Sequence, residues 1–439
     1  MRRSRSASPL AVATVLGCAV LVAATTAASA APGPASDRPG TGAGYRVQPG
    51  VSVLAAGHYA AVAGQRVGVI ANPTSVLPDL RHEVDVMAAS ADIDLVAVFG
   101  PEHGFRGTAQ AGGSQGFYLD QRTGLPVYDT YQKNPRQLAD IFTASGVDTV
   151  LFDIQDVGTR YYTYIWTMYD SMQGAALAGK RFVVLDRPNP LGGVAARGPV
   201  LTPEFATFVG RREISQQHGM TVGELARLFN AEYLPDEIGR QVDLDVIRMR
   251  GWSRSATYES TGLPWILPSP NMPTVDTATV YPGTGMLEGT NVSEGRGSTR
   301  PFELIGAPYL DYRLADALTA LRLPGVTFRE AYFTPTFSKY QGVACGGVQV
   351  HVTDRAAFDA LRTGVAILVT LRQLYPDQFR WRFDTGDPRP YWIDKLTGSS
   401  RLRTQIDAGA GVDDVVRGWR DELAAFRAIR ARYLLYPSR

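Results

Sequence analysis

Four apolar runs, each ending in a polar cluster, constrain this chain more than any other feature. Val67–Ile70 leads into Ala71-Asn-Pro-Thr74, and Leu95–Phe99 leads into Gly100-Pro-Glu-His-Gly-Phe-Arg-Gly107. Thr149–Phe152 leads into Asp153-Ile-Gln-Asp-Val-Gly-Thr-Arg160, and Phe182–Leu185 leads into Asp186-Arg-Pro-Asn-Pro190. Short runs of β-branched and aromatic residues without polar alternation read as strands buried on both faces, the mark of a parallel sheet. The stretches between them are long enough for crossover helices. The expected fold is therefore α/β: a Rossmann-like, mostly parallel sheet domain followed by a smaller α+β auxiliary domain. Parallel sheets bind ligands beyond the carboxyl ends of their strands. Glu102, His103, Asp153, Asp156, Asp186 and Asn189 stand at those ends. A core strand needs none of them, so their placement points to an active site.

Helix patterns fill the gaps: Arg81–Ser90, Arg136–Ser145 and Ile165–Ala178. Thr221 and Glu224 form a capping-box signature ahead of another helix. From Leu263 to Gly306 periodicity is lost in a stretch rich in Pro, Gly, Thr and Asn. A loop region this long inside a compact protein is usually functional or disordered; its aromatic and carboxylate content argues for function, at the seam of two domains. Beyond it, helices are expected over Ala315–Leu323, Ala356–Tyr375 and Asp421–Leu435, and strands over Phe328–Thr336 and Gly347–Val352. With 439 residues the chain suits about two domains, placed at 45–285 and 286–439.

The amino terminus reads as a targeting segment. Arg2, Arg3 and Arg5 precede an apolar stretch from Leu10 to Ala27, and Ala28-Ser-Ala30 is a cleavage signal. Residues 1–30 are thus a signal peptide and 31–44 a disordered linker, giving a secreted, cell-wall-associated protein. Lipidation at Cys18 is the lesser alternative, because Cys18 lies within the apolar stretch rather than at its end. After cleavage Cys345 is the one cysteine left, so no internal disulfide supports the fold. A net charge of +2 gives no electrostatic case for nucleic acid, and no second apolar stretch is long enough to span a membrane. Four lysines stand against forty arginines, so an isolated arginine is weak evidence of an anion site.

Some motif matches fail on context. Gly112-Gly-Ser-Gln-Gly116 has the spacing of a nucleophile elbow, but no strand precedes Ser114 and no helix follows it. The first strand-to-helix turn lacks the glycines a dinucleotide needs, and no phosphate-binding loop occurs, so no cofactor is expected. No two histidines have metal-ligand spacing. Asp153 and Asp156 could hold a hard cation, but bonding to substrate or loop is the stronger reading, and no metal is expected.

Glu102 is the leading catalytic candidate. It follows a buried strand directly, between glycines that let the backbone turn sharply, and a carboxyl at the mouth of an apolar sheet suits a general acid. The competing role is a structural turn. Asp153 and Asp156 precede a dense aromatic run that includes Tyr162, Tyr164 and Trp166. Sugar pockets need carboxylates for hydroxyls and aromatic faces for C–H surfaces, although an aromatic core helix would look the same. Glu288-Gly-Thr-Asn-Val-Ser-Glu-Gly-Arg-Gly297 sets Glu294 and Arg296 between glycines, which suggests placement rather than a linker.

Together, Gly100–Gly107, Phe152–Tyr164, Asp186–Gly193 and Glu288–Gly297 resemble the NamZ-type exo-β-N-acetylmuramidases, over roughly Tyr45 to the carboxyl terminus. The resemblance implies a Rossmann-like domain with the catalytic cleft and a smaller auxiliary domain. It implies release of terminal N-acetylmuramic acid from the non-reducing end of peptidoglycan fragments, the expected partners being such muramyl saccharides. The family's catalytic Glu falls on Glu102. Asp153, Asp156 and Glu294 are the candidates for a second carboxylate. His103, Arg106, Arg160, Tyr162, Tyr164, Asp186, Asn189, Asn291 and Arg296 are the substrate-binding candidates. Arg106, Arg160 or Arg296 would hold the sugar's lactyl carboxylate bidentately. The alternatives are a non-catalytic wall-binding protein and a wall esterase or amidase.

Overall fold

All four apolar runs become neighbouring strands of one sheet. The structure, a computed structural model, describes residues 47–438; the targeting segment, Cys18 and the linker lie outside the described residues. The strands in chain order are β1 (Arg66–Ala71), β2 (Asp94–Gly100), β3 (Tyr118–Leu119), β4 (Pro126–Asp129), β5 (Thr149–Asp153), β6 (Arg181–Leu185), β7 (Arg197–Val200), β8 (Ser215–Gln217) and β9 (Leu244–Ile247). The sheet runs β3-β4-β2-β1-β5-β6-β9, and every pair is parallel except β3–β4. β7 and β8 pair separately. Val69 of β1 stands between Val98 of β2 and Leu151 of β5. Alternate residues feed two cores, as a sheet covered on both sides requires. Ile70, Phe99, Phe152 and Phe182 enter one; Val69, Val98, Leu151 and Val183 enter the other.

Helices cover both faces. α1 (Gly50–Ala56) and α2 (Glu83–Ala88) supply Val51, Leu54, Val84 and Met87 to one side. α3 (Pro135–Ala144), α4 (Tyr164–Leu177) and α5 (Val222–Glu232) supply Phe142, Trp166, Tyr169 and Phe229 to the other. α5 starts at the Thr221–Glu224 capping box, with both reciprocal bonds formed, and the short α6 (Leu234–Ile238) follows it.

Residues 263–306 are more ordered than their sequence suggests. They contain α7 (Val275–Thr284), capped by Thr274, which accepts from Thr277 N at 3.1 Å, and end in β10 (Leu304–Ala307). Two features hide α7: Pro282 lies inside it, and buried residues occupy every side of its second half, so no amphipathic period survives. The remaining elements are α8 (Tyr312–Ala320), β11 (Val326–Phe333), β12 (Cys345–Val352), α9 (Ala360–Leu374), α10 (Trp392–Thr397), α11 (Arg401–Asp407), α12 (Val412–Arg417) and α13 (Arg420–Ala431). β10, β12 and β11 form an antiparallel sheet in that order. α7 and α9 cross closely: a Cβ on Gly283 would lie 1.8 Å from the Ala360 carbonyl oxygen. The core on the α4 side runs without a break into Leu361, Val365 and Leu368 of α9, and residues 47–438 form one compact unit.

Candidate active-site cleft

β2 delivers Glu102 to the mouth of the sheet. The strand stops at Gly100, and His103 and Gly104 take left-handed φ values of 69° and 79°, so the chain turns back on itself. His103 N donates to Gly113 O at 2.9 Å and its ring Nδ1 lies 3.0 Å from Ala109 O, which closes the loop. The half-buried Glu102 carboxylate faces inward. Its Oε1 accepts from Gly112 N at 2.8 Å, and its Oε2 accepts from the Thr163 hydroxyl at 3.0 Å. Thr163 is the residue before α4, so the strand end and the helix start hold the carboxyl between them. Tyr131 stands beside it; burial and then the Glu102 charge push its phenol up to about 12. Ser114 donates to Asp129 at 2.9 Å and takes its place in the loop wall.

Glu102 opens onto a cleft of about 1490 Å³, which His103, Tyr162, Tyr164, Asn291, Glu294 and Arg296 also line. The structure therefore brings these sequence candidates together. Aromatic rings form its floor: Tyr161 and Tyr162 meet Tyr281 edge-on at 5.1 and 5.8 Å, and Tyr162 meets Tyr164 at 5.4 Å. The Tyr162 hydroxyl is buried beside Ser269.

Glu294 is the cleft's buried carboxylate. Burial opposes its charge, but Lys339 (2.9 Å) and Arg296 (3.2 Å) prevail and hold its carboxyl below the usual range. Arg296 also reaches Glu288 at 3.0 Å and stacks over Phe302. Asn291 is a tie rather than a free ligand. Its Oδ1 accepts from Arg380 N (2.9 Å) and the Tyr309 hydroxyl (3.0 Å), and its Nδ2 donates to Gln378 O (2.9 Å).

Six sequence candidates lie away from the cleft, held by the protein itself. Asp153 pairs with Arg187, at 2.6 Å for Oδ2, and lies beside Glu83, whose carboxyl is pushed well above the usual range by burial and the Asp153 charge. Asp156 accepts from Gly158 N at 2.6 Å and lies 3.1 Å from His218 Nε2. Asp186 accepts from Thr221 Oγ1 (2.8 Å), Gly223 N (2.9 Å) and the Tyr436 hydroxyl. Asn189 ties Met220 O to Leu191 N. Arg106 bridges Asp85 and Asp120 at 2.8 Å each. Arg160 is fully buried and donates to the carbonyls of Pro199, Ile214 and Leu396; burial lowers it to about 10. Strand ends in a doubly covered sheet are themselves interior, so most polar groups there satisfy the scaffold. The β2 end, by contrast, emerges into the cleft.

The sequence reading passed over Tyr131, Thr163, Tyr281, Lys339, Trp392 and Lys395, all of which line the cleft. Thr163 sits within the aromatic run and so had a local signal. Lys339, Trp392 and Lys395 arrive from the distant carboxyl-terminal part and had none. Among the described residues, no three His, Cys, Asp or Glu side chains stand together as a metal-binding group.

Comparison with known proteins identifies the family. Residues 67–276 match the family profile described as exo-β-N-acetylmuramidase NamZ, N-terminal, and residues 279–436 match its C-terminal counterpart. The peptidoglycan β-N-acetylmuramidase NamZ of Bacillus subtilis (strain 168) is 47% identical over 412 residues, covering 94% of this chain and 96% of that protein. Two crystal structures of DUF1343 family proteins from Bacteroides fragilis NCTC 9343 share the fold. One has a TM-score of 0.79 at 36% identity, covering 89% of this chain and 99% of its own. The other has a TM-score of 0.70 at 27% identity, covering 90% and 99%. With both family profiles in order along one continuous fold, and Glu102 at the mouth of its cleft, the chain belongs to the NamZ exo-β-N-acetylmuramidase family.

Proposed function

We propose that the cleft hydrolyses the β-glycosidic bond of a terminal N-acetylmuramic acid at the non-reducing end of peptidoglycan fragments. The observation that carries this is Glu102: a carboxyl fixed by two donors at the mouth of an aromatic-floored cleft, in a chain of this family. In its acid form Glu102 gives its proton to the glycosidic oxygen as the C1–O bond breaks. Water then adds to C1 and returns a proton to the Glu102 carboxylate, so N-acetylmuramic acid leaves with a new C1 hydroxyl and the remaining glycan keeps the glycosidic oxygen, now protonated to a hydroxyl. Glu294, held anionic by Lys339 and Arg296, is the cleft carboxylate suited to stabilise positive charge at C1. Ser269, Asn271, Glu288, Thr290, Glu294 and Arg296, from the segment between the two parts, wall one side of the cleft. A walled pocket favours a chain end over an internal bond. The amino-terminal signal supports export, with the mature protein beginning near Ala31.

The test is a chromogenic β-glycoside of N-acetylmuramic acid, alongside short glycans ending in that sugar. Release of the chromophore, and of free N-acetylmuramic acid from the glycans, is the expected result. Binding without release would make the protein a wall-binding module, and neither would favour an esterase or amidase. Cleavage within chains capped by N-acetylglucosamine would contradict exo action. Activity is expected to survive a chelator, because neither Glu102 nor Glu294 requires an ion.

A further inference from the structure

Two of the chain's four lysines, Lys339 and Lys395, line the cleft. In a chain with forty arginines, these positions carry a compact ammonium with rotatable donors instead of a planar guanidinium. The two lysines are used differently. Lys339 directs all three donors at the protein: Leu287 O at 2.9 Å, Val292 O at 3.0 Å and Glu294 at 2.9 Å. Lys395 makes one hydrogen bond among the described residues, to Asp387 at 2.7 Å. An ammonium has three donors, and this one has little water to bond, its side chain being only 5% exposed. Asp387 is 35% exposed, so the end of the pair buried in the protein is the cation.

Trp392 adds a second unmet donor. Its indole Nε1 is buried without an acceptor among the described residues, and the Lys395 ammonium lies 5.0 Å from its ring centroid. The other cations of the cleft are already matched. Arg296 lies between Glu288 and Glu294, and the exposed Arg382 is gripped by both oxygens of Asp384. Arg106 and Arg160, which the sequence offered for a substrate carboxylate, are outside the cleft.

We propose that Lys395 and the Trp392 indole N–H form a carboxylate subsite of this cleft. It takes the lactyl carboxylate by which N-acetylmuramic acid differs from N-acetylglucosamine. The identity of the sugar rests on the muramidase reading; the presence of an anion subsite rests on the unmet donors. The same chemistry could be supplied by the free carboxylate of a peptide attached to the lactyl group, which would itself then be a neutral amide.

Titration calorimetry on the intact protein separates these cases. The probes are N-acetylmuramic acid, its lactyl methylamide, N-acetylmuramoyl-alanine and N-acetylglucosamine. Lys395→Met is expected to weaken N-acetylmuramic acid by about tenfold to a hundredfold, the usual worth of a charge-assisted bond. The two neutral sugars should stay within about twofold. Lys395→Arg should retain part of the affinity, and Trp392→Phe should lose less than Lys395→Met, again on the charged sugar alone. Lys395→Met/Asp387→Asn removes the unpaired carboxylate and should match the single variant. In hydrolysis the loss should fall on KM. If Lys395 dependence appears with N-acetylmuramoyl-alanine and not with N-acetylmuramic acid, the anion is the peptide's and the lactyl assignment falls. Equal weakening of charged and neutral sugars, or no change, overturns the subsite. A protein that binds N-acetylmuramic acid through Lys395 yet releases no product would refute the muramidase reading and leave the subsite standing.

Discussion

Glu102 and Asp186 both end parallel strands, and the surroundings of each decide its role. Glu102 has two donors and an open cleft before it. Glu102→Gln keeps the size and most of the hydrogen bonding but cannot deliver a proton. Turnover of a natural disaccharide should fall by at least about 10²–10⁴, with the thermal transition preserved. Substrates with a very good leaving group should be partly spared, and near-wild-type turnover would end the general-acid assignment. Asp186 is sealed inside the protein. Burial pushes its carboxyl up to about 7 in spite of the donors Tyr436, Gly223 and Thr221. The folded chain therefore keeps this proton between about pH 4 and 7 while the unfolded chain releases it. The stabilisation is full below about pH 4 and is lost as the pH rises through about 7. His82 has the opposite slope. Burial lowers it to about 4, so the unfolded chain takes up a proton first and stability drops as the pH falls below about 6.5. The two slopes overlap and oppose, so the informative quantity is a difference. Stability of Asp186→Asn minus wild type should rise by about 1 kcal/mol per pH unit between about pH 4 and 7. Denaturant unfolding at several pH values measures it, and a flat difference would contradict the buried, proton-holding carboxyl.

At the scale of elements, α7 matters most, because it carries Tyr281 to the cleft floor and leads directly into Glu288. Its position depends on a glycine-to-glycine approach. Gly283 meets the Ala360 carbonyl and Gly364 meets the Gly283 carbonyl, with added Cβ atoms falling at 1.8 and 2.5 Å. Neither contact can yield without moving a helix. Gly283→Ala should destabilise by about 1–3 kcal/mol or more and lower activity by displacing Tyr281. Gly116→Ala, where a Cβ meets nothing within 4 Å, should stay within about 0.5 kcal/mol of wild type. Equal melting temperatures for the two variants would refute the close crossing. Strands β1, β2, β5 and β6 were legible because continuous apolar runs of that length have few other uses. α7 was not, because Pro282 and burial on every side erase the pattern that marks a surface helix.

Residues 47–438 share one core although two family profiles divide them. Tyr436 near the carboxyl terminus donates to Asp186 at a strand end, Arg160 donates to Leu396 O, and Arg430 donates to Gly219 O at 2.6 Å. The core on the α4 side passes through both parts. A fragment ending at residue 276 would expose that core and leave buried groups without partners, which this many sites cannot absorb. It should lack a cooperative thermal transition by circular dichroism, and adding the residue 279–436 fragment should restore one. Independent cooperative melting of the first fragment would show that the shared core is dispensable.

The sequence by itself determined the parallel sheet, the strand ends as places of interest, the position of Glu102 and the family. These are local: an apolar run followed by Gly-Pro-Glu-His-Gly carries its own geometry. Only the tertiary structure decided which polar strand ends face a ligand. Asp153, Asp156 and Asp186 have the same local look as Glu102, yet helices and the carboxyl-terminal part bury them against Arg187, His218 and Tyr436. Lys339, Trp392 and Lys395 stand more than 230 residues from Glu102 in the chain and enter the cleft only through the packing of the second part on the first. Burial is a property of what comes to lie opposite a residue, and for these residues the opposing surface is supplied by distant parts of the chain.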